Sequence, residues 1–194
     1  LFGLRRIRAG QVVLDSQPVA LRTPRQAIAA GLFLVPEDRR QHGLLLFESI
    51  RGNIALPNLD HLSHLGLLDF TAERAMGETA RDQLHIKASS LRQPAGQLSG
   101  GNQQKVVLAK GLVQAIGVYV LDEPTVGVDV GARLSIYQCL AEISAAGAAI
   151  LLVSSDLPEL MDMAHRLVVM NDGRITAEFE RGDFAEHRIL EKFF

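Results

Sequence analysis

The sequence is poor in the features that mark several large protein classes. It has one cysteine, Cys139, which excludes an internal disulfide and fits a reducing compartment. Lys and Arg number 20 against 22 Asp and Glu, a net charge of -2, so the basic footprint of a nucleic-acid binder is missing. The longest apolar run, Ala145 to Val153, contains Gly147 and falls far short of the roughly 20 residues that span a bilayer. The opening Leu1-Phe2-Gly3-Leu4 lacks methionine and lacks the charged-then-apolar order of a signal peptide. No G-x-x-x-x-G-K-[ST] occurs, so the standard phosphate-binding loop is absent too. What remains is 194 residues, the length of one domain with material for a sizeable core.

Two runs carry chemistry. Leu98-Ser99-Gly100-Gly101-Asn102-Gln103-Gln104-Lys105 reads as a helix start offering a hydroxyl and unobstructed backbone N–H groups at its positive end, which suits a phosphate. The same residues could serve as an N-cap with glycine for a tight turn. A second glycine, however, lowers helix stability by roughly 1 kcal/mol relative to alanine, which close phosphate approach explains and capping does not. Val118-Tyr119-Val120-Leu121-Asp122-Glu123-Pro124 reads as an apolar strand delivering adjacent carboxylates to the rim of a parallel sheet, where such sheets hold ligands and metals. One carboxylate can hold a metal-bound water while its neighbour faces an attacking water; the plainer alternative is a pair that caps the next turn.

Around these runs the pattern alternates between strand and helix, which argues for a parallel α/β core. Gln11 to Leu21 reads as a hairpin. Thr23-Pro24 caps a helix that ends at Gly31, and Leu32 to Val35 is a buried strand stopped by Pro36. Residues 43–97 read as mostly helical, with Thr71 a plausible cap. Ile136, Leu140 and Ile143 mark one face of a helix ended by Gly147, and Ala148 to Ser154 reads as another buried strand. Asp156-x-x-Glu159 is a capping-box-like helix start, and a closing hairpin turns at Asn171-Asp172-Gly173. The tail, about 180–194, breaks the pattern and reads as a C-terminal extension.

The two runs, in this order and about twenty residues apart, resemble the signature sequence and Walker B strand of an ATP-binding cassette (ABC) ATPase. With Leu121-Asp122-Glu123-Pro124-Thr125 and Gly127-Val128-Asp129-Val130-Gly131-Ala132-Arg133, the chain is similar to the second cassette of bacterial monosaccharide importers, from about Leu1 to Phe179. The resemblance implies a P-loop NTPase-like α/β cassette over residues 1–194, with a mostly parallel core sheet, an antiparallel hairpin and a helical subdomain at about 43–97. It also implies that the first strand, the P-loop and most of the following helix were not included. ATP and Mg²⁺ are the implied ligands. Nucleotide contacts are implied for Ser99, Gly100, Gly101, Gln103, Asp129, Glu37 and Ser155, metal contacts for Asp122 and Glu37, and a general-base role for Glu123.

Three positions depart from a fully active cassette. Glu37 replaces the glutamine that contacts Mg²⁺ and water, Ser155 replaces the switch histidine at the γ-phosphate, and Val126 stands where a basic residue is common. Glu37 could also be a solvated loop carboxylate, and Ser155 could only help start the next helix. The family's second cassettes show the same Glu and Ser replacements, with a P-loop whose lysine is usually lost. Because such cassettes pair head to tail, an unaltered signature beside a degenerate own site implies action in trans, on ATP held by a partner cassette.

The implied partners are an N-terminal cassette of the same polypeptide, integral-membrane permease subunits and, indirectly, a periplasmic sugar-binding protein, at the cytoplasmic face of the bacterial inner membrane. A soluble ABC ATPase acting on nucleic acid or ribosomes, and a non-hydrolytic regulatory cassette, are the competing readings. The interval from Pro36 to Ser99 is too short for the long coiled coil of the former. His61-x-x-His64 could share a helix face but has no companion ligand at metal spacing. Cys139 reads as core.

Overall fold

A computed structural model describes residues 2–112 and 116–193. By contact they form two compact units, Leu1–Leu151 and Leu152–Phe194.

The first unit begins with the hairpin β1 (Val12–Leu14) and β2 (Gln17–Val19). Its turn residues Asp15 and Ser16 take φ of 48° and 63°, the mirror-image turn that matches strand twist. Helix α1 (Pro24–Ala29) follows, with Thr23 accepting from the Gln26 N–H and proline at the first helical position. The parallel core has the order β3 (Leu32–Val35), β6 (Val118–Asp122), β7 (Ala149–Val153). Leu32 pairs with Val118 and Val35 with Leu121. Since the strands are parallel and in register, the residues after Val35 and those after Leu121 leave the sheet at the same edge.

Helix α5 (Gly100–Leu112) is the centre of this unit. Val106, Val107, Leu108 and Ala109 are all buried, as expected of a helix surrounded by structure on every side. It packs on α2 (Ile50–Ala55), β3, α4 (Phe70–Gln83) and α6 (Val130–Ala145). Ile136, Cys139, Leu140 and Ile143 of α6 are buried together, so the periodicity located that helix face and Cys139 is core. The buried Asn53 holds the segment before α2 by donating to the carbonyls of Leu45, Glu48 and Ser49 while accepting from the Leu45 N–H.

Several expectations are corrected. Between α2 and α4 the chain forms the short helix α3 (Leu59–Leu62) and an unforeseen hairpin, β4 (Ser63–His64) with β5 (Leu67–Leu68), within an otherwise mostly helical stretch. His61 and His64 consequently lie on different elements. Asp69, not Thr71, caps α4: its carboxylate accepts from the Thr71 and Ala72 N–H groups, which places Thr71 inside the first turn. The same bonds hold the Asp69 carboxyl below its usual pKa. Strand β7 is not buried: Ala149, Leu151 and Val153 are exposed and alternate with half-buried Ile150 and Leu152, so one face of this strand is uncovered.

The second unit is built on the hairpin β8 (Arg166–Asn171) and β9 (Arg174–Glu180), turning at Asp172 and Gly173, both at positive φ. Helices α7 (Leu157–Met163) and α8 (Glu186–Leu190) add to it, and Leu157, Leu167, Val169, Phe179 and Ile189 form one core. Asp156 caps α7 by accepting from the Glu159 N–H, as the box pattern predicts. Ser154 completes the box, accepting from the Asp156 N–H while its hydroxyl donates to the Glu159 carboxylate. The residues after Phe179 are integral to this unit: Ile189 is fully buried, and Thr176 and Asn171 donate to the carbonyls of Lys192 and Phe193.

Candidate nucleotide site

The parallel register carries Glu37 and the pair Asp122–Glu123 to one edge of the sheet. Strand β6 ends at Asp122, one residue short of the expected carboxylate pair. Glu123 takes φ of 45°, in the left-handed region, where a non-glycine residue carries strain of about 1–3 kcal/mol. The chain then turns sharply, with Val126 N–H donating to the Glu123 carbonyl. Glu37 is exposed in the loop after β3.

At the N-terminus of α5, Ser99 is exposed and Gly100 half-buried. The Asn102 side-chain amide donates to the Ser99 Oγ at 2.9 Å, while its oxygen accepts from the Lys87 N–H at 2.8 Å. The serine hydroxyl is thus oriented from behind and keeps its own proton for donation. No spacing rule indicates the role of Asn102, because its side chain acts on a neighbour.

The two glycines have reasons beyond phosphate approach. A Cβ on Gly101 would lie 2.4 Å from the Ala132 Cβ, so this glycine lets α5 and α6 touch. A Cβ on Gly100 would lie 2.7 Å from Arg39 Nη2 and 3.1 Å from the Gly127 carbonyl oxygen. Helix packing and a guanidinium therefore require small residues here, whatever binds outside.

Two of the implied contact residues have partners within the fold. Gln103 is buried, and its amide nitrogen donates to the Ala95, Gly96 and Leu98 carbonyls at 3.2–3.4 Å, so it secures the turn before the signature rather than facing a ligand. Asp129 is the N-cap of α6, accepting from the Ala132 N–H at 2.9 Å. Ser155, exposed beside the α7 cap, is part of the second unit.

Among the described residues no group of three or more His, Cys, Asp or Glu could hold a metal. The donor chemistry at Asp122 suits a hard cation that keeps most of its waters and phosphate ligands, as Mg²⁺ does. Two hollows, of about 230 and 400 Å³, are lined by residues such as Phe33, Val107 and Lys110, or Tyr119 and Ile143. Neither includes Ser99, Asp122 or Glu123.

The sequence profile of ABC transporters matches residues 1–126. The chain belongs to the ABC transporter family. It is 45% identical over 190 residues to a ribose import ATP-binding protein of Pseudomonas putida and 41% identical over 191 residues to an arabinose import ATP-binding protein of Vibrio parahaemolyticus. In both cases 98% of this chain is matched, yet only 37% and 38% of the relatives' own lengths. Among solved structures, a component of an ABC transporter complex from Clostridium perfringens has a TM-score of 0.75 at 22% identity, covering 98% of this chain and 74% of that one. A dimeric post-hydrolysis cassette bound to ADP and Pi has a TM-score of 0.74 at 19% identity, covering 93% of this chain and 77% of that one. The fold is that of an ABC ATPase cassette. No helix among the described residues is long and apolar enough to cross a membrane.

Proposed function

We propose that this chain is a cassette of an ATPase that energises import of a monosaccharide or related small polar solute, and that it acts mainly by presenting its signature to ATP held on a partner cassette. The observation that carries this reading is the contrast between an exposed, oriented Ser99 backed by Asn102 and an own-site edge in which Glu37 replaces glutamine. The names of the relatives, ribose and arabinose import proteins, support the solute class. That the chain matches under two fifths of their length supports a second cassette in the same polypeptide, with permease subunits and a periplasmic sugar-binding protein as further partners at the cytoplasmic face of the inner membrane.

In this scheme Ser99 and the first N–H groups of α5 donate to the γ-phosphate as charge builds on its oxygens. Water attacks phosphorus, the bond to the bridging oxygen breaks and ADP leaves. For ATP held on the partner cassette, the water's proton would go to a base of that cassette; for ATP on the chain's own edge, Glu123 would take the water's proton and Asp122 would hold Mg²⁺ through its waters. Mg²⁺, when bound, neutralises charge on the phosphates.

The test is steady-state ATP hydrolysis by the full-length protein. Ser99→Ala is expected to lower turnover by about 10²–10³, the scale for loss of one donor aimed at a developing oxyanion. Glu123→Gln is expected to do less. Greater damage from Glu123→Gln would transfer the flux to the chain's own site and overturn the reading.

A further inference from the structure

The side chain of Arg39 joins three segments that sequence reasoning treats separately. It lies two residues beyond Glu37, in the π-helical turn Arg39–Gly43, whose start is fixed by Asp38 accepting from the Arg40 and Gln41 N–H groups. Its Nη1 donates to the Val126 carbonyl at 2.9 Å and its Nη2 to the Gly127 carbonyl at 3.0 Å. These two carbonyls belong to the loop that follows Asp122 and Glu123. The same Nη2 occupies the space beside Gly100 that a Cβ would need.

The guanidinium is committed to this position. Its Nε is buried without a hydrogen-bond partner, a state tolerated only where other bonds hold the group in place. Burial, more than the neighbouring charge of Arg40, draws its pKa below the ordinary arginine value. The loop it grips is exposed at Val126 and Gly127, and Gly127 takes φ of 69°.

We infer that Arg39 is a positioning residue for nucleotide hydrolysis, a clasp that fixes the Val126–Gly127 loop against Gly100 and ties both to the segment bearing Glu37. Through it, the edge bearing Asp122 and Glu123 and the signature offered to a partner's ATP move together. A forked donor suits this task, because two successive carbonyls are held at once and one point charge would hold only one. The inference rests on the signature reading proposed above.

The test uses the full-length protein with its permease, measuring kcat and KM for ATP together with thermal unfolding. Arg39→Ala is expected to lower kcat by about tenfold to 10²-fold, the scale of a misplacement near 1 Å, with KM little changed. Arg39→Lys is expected to recover part of that loss, and Arg40→Ala, which removes the exposed neighbour, should match the parent. A purely structural role would instead lower the melting temperature and the active fraction together. Gly100→Ala should be less damaging in the Arg39→Ala background than in the parent, because the atom its Cβ meets is gone. Arg39→Ala with kcat within about twofold of the parent, or strictly additive effects of the pair, would overturn the clasp. Ser99→Ala run alongside separates the two ideas: if it is harmless, the signature reading itself fails, and if it is crippling while Arg39→Ala is harmless, only the clasp does. Should Arg39→Ala fail to fold, the same cycle with Arg39→Lys decides the matter.

Discussion

The two ends of the candidate site are built in opposite ways. The signature end is packed from behind by Ala132, Arg39 and the Gln103 amide, so Ser99 stands at the edge of a rigid block. The carboxylate end depends on a strand tip, a residue at positive φ and the exposed Glu37 loop. The first arrangement suits presentation to something outside the chain, because its geometry is complete before any ligand arrives. The second needs a complement, since an open sheet edge offers charge without enclosing a phosphate.

The sharpest way to break this comparison is to ask whether the carboxylate end binds nucleotide unaided. The 194-residue chain has no standard phosphate loop and is expected to bind Mg-ATP more weakly than micromolar, about -8 kcal/mol, by calorimetry. A micromolar affinity would mean that the open edge is a site in itself.

Next in size is the packing behind the signature. Gly101→Ala would bring two methyl groups to 2.4 Å and should destabilise the protein by about 1–3 kcal/mol in chemical denaturation. Ala132→Gly should relieve most of that loss. If Gly101→Ala abolishes turnover while leaving stability intact, the glycine serves the phosphate and not the helix contact.

Restoring Ser155→His in the full-length protein is expected to change steady-state turnover by less than tenfold, worth about 1.4 kcal/mol of barrier, because one repaired member of a broken set recovers little. A larger gain would show that Ser155 alone was limiting.

The smallest effect concerns Lys110 on α5, whose amine donates to the Gly43 carbonyl and is held by burial at about 8. Between about pH 8 and 10 the unfolded chain binds the extra proton, so this group's contribution to stability rises with pH there, by at most about 1.4 kcal/mol per unit. Cys139, whose thiol burial pushes up, works in the opposite direction once the unfolded thiol ionises. Melting curves of Lys110→Met should therefore draw away from those of the parent toward lower stability as pH rises from about 7.5 to 9. A constant gap would place the Lys110 amine in ordinary solvent.

Much of the fold was legible because local signals agreed. Thr23-Pro24 with Gly31, the Ile136–Leu140–Ile143 face, the Asp156 box and the Asp172-Gly173 turn each combine a backbone preference with a hydrophobic period, and each occurs where expected. Failures came where two capping residues competed, as with Asp69 over Thr71, or where burial depended on neighbours, as with β7. An apolar run reads the same whether a second strand covers it or not. For the candidate site, residue order placed Ser99 at the start of α5 and Asp122 at a strand end, whereas the bonds that Gln103 makes to the preceding turn and Asp129 to the start of α6 depend on the fold.

The sequence by itself determined that strands alternate with helices, that a serine and two glycines open the central helix and that two carboxylates close a strand. Those are properties of spacing, and spacing sets which face or edge a residue reaches. Only the tertiary structure decided that Gly100 yields to Arg39, Gly101 to Ala132, and that Arg39 spans 87 and 88 residues of sequence to hold the loop after Glu123. Such contacts arise from how helices and loops converge in space, and no local pattern of residues encodes the partner.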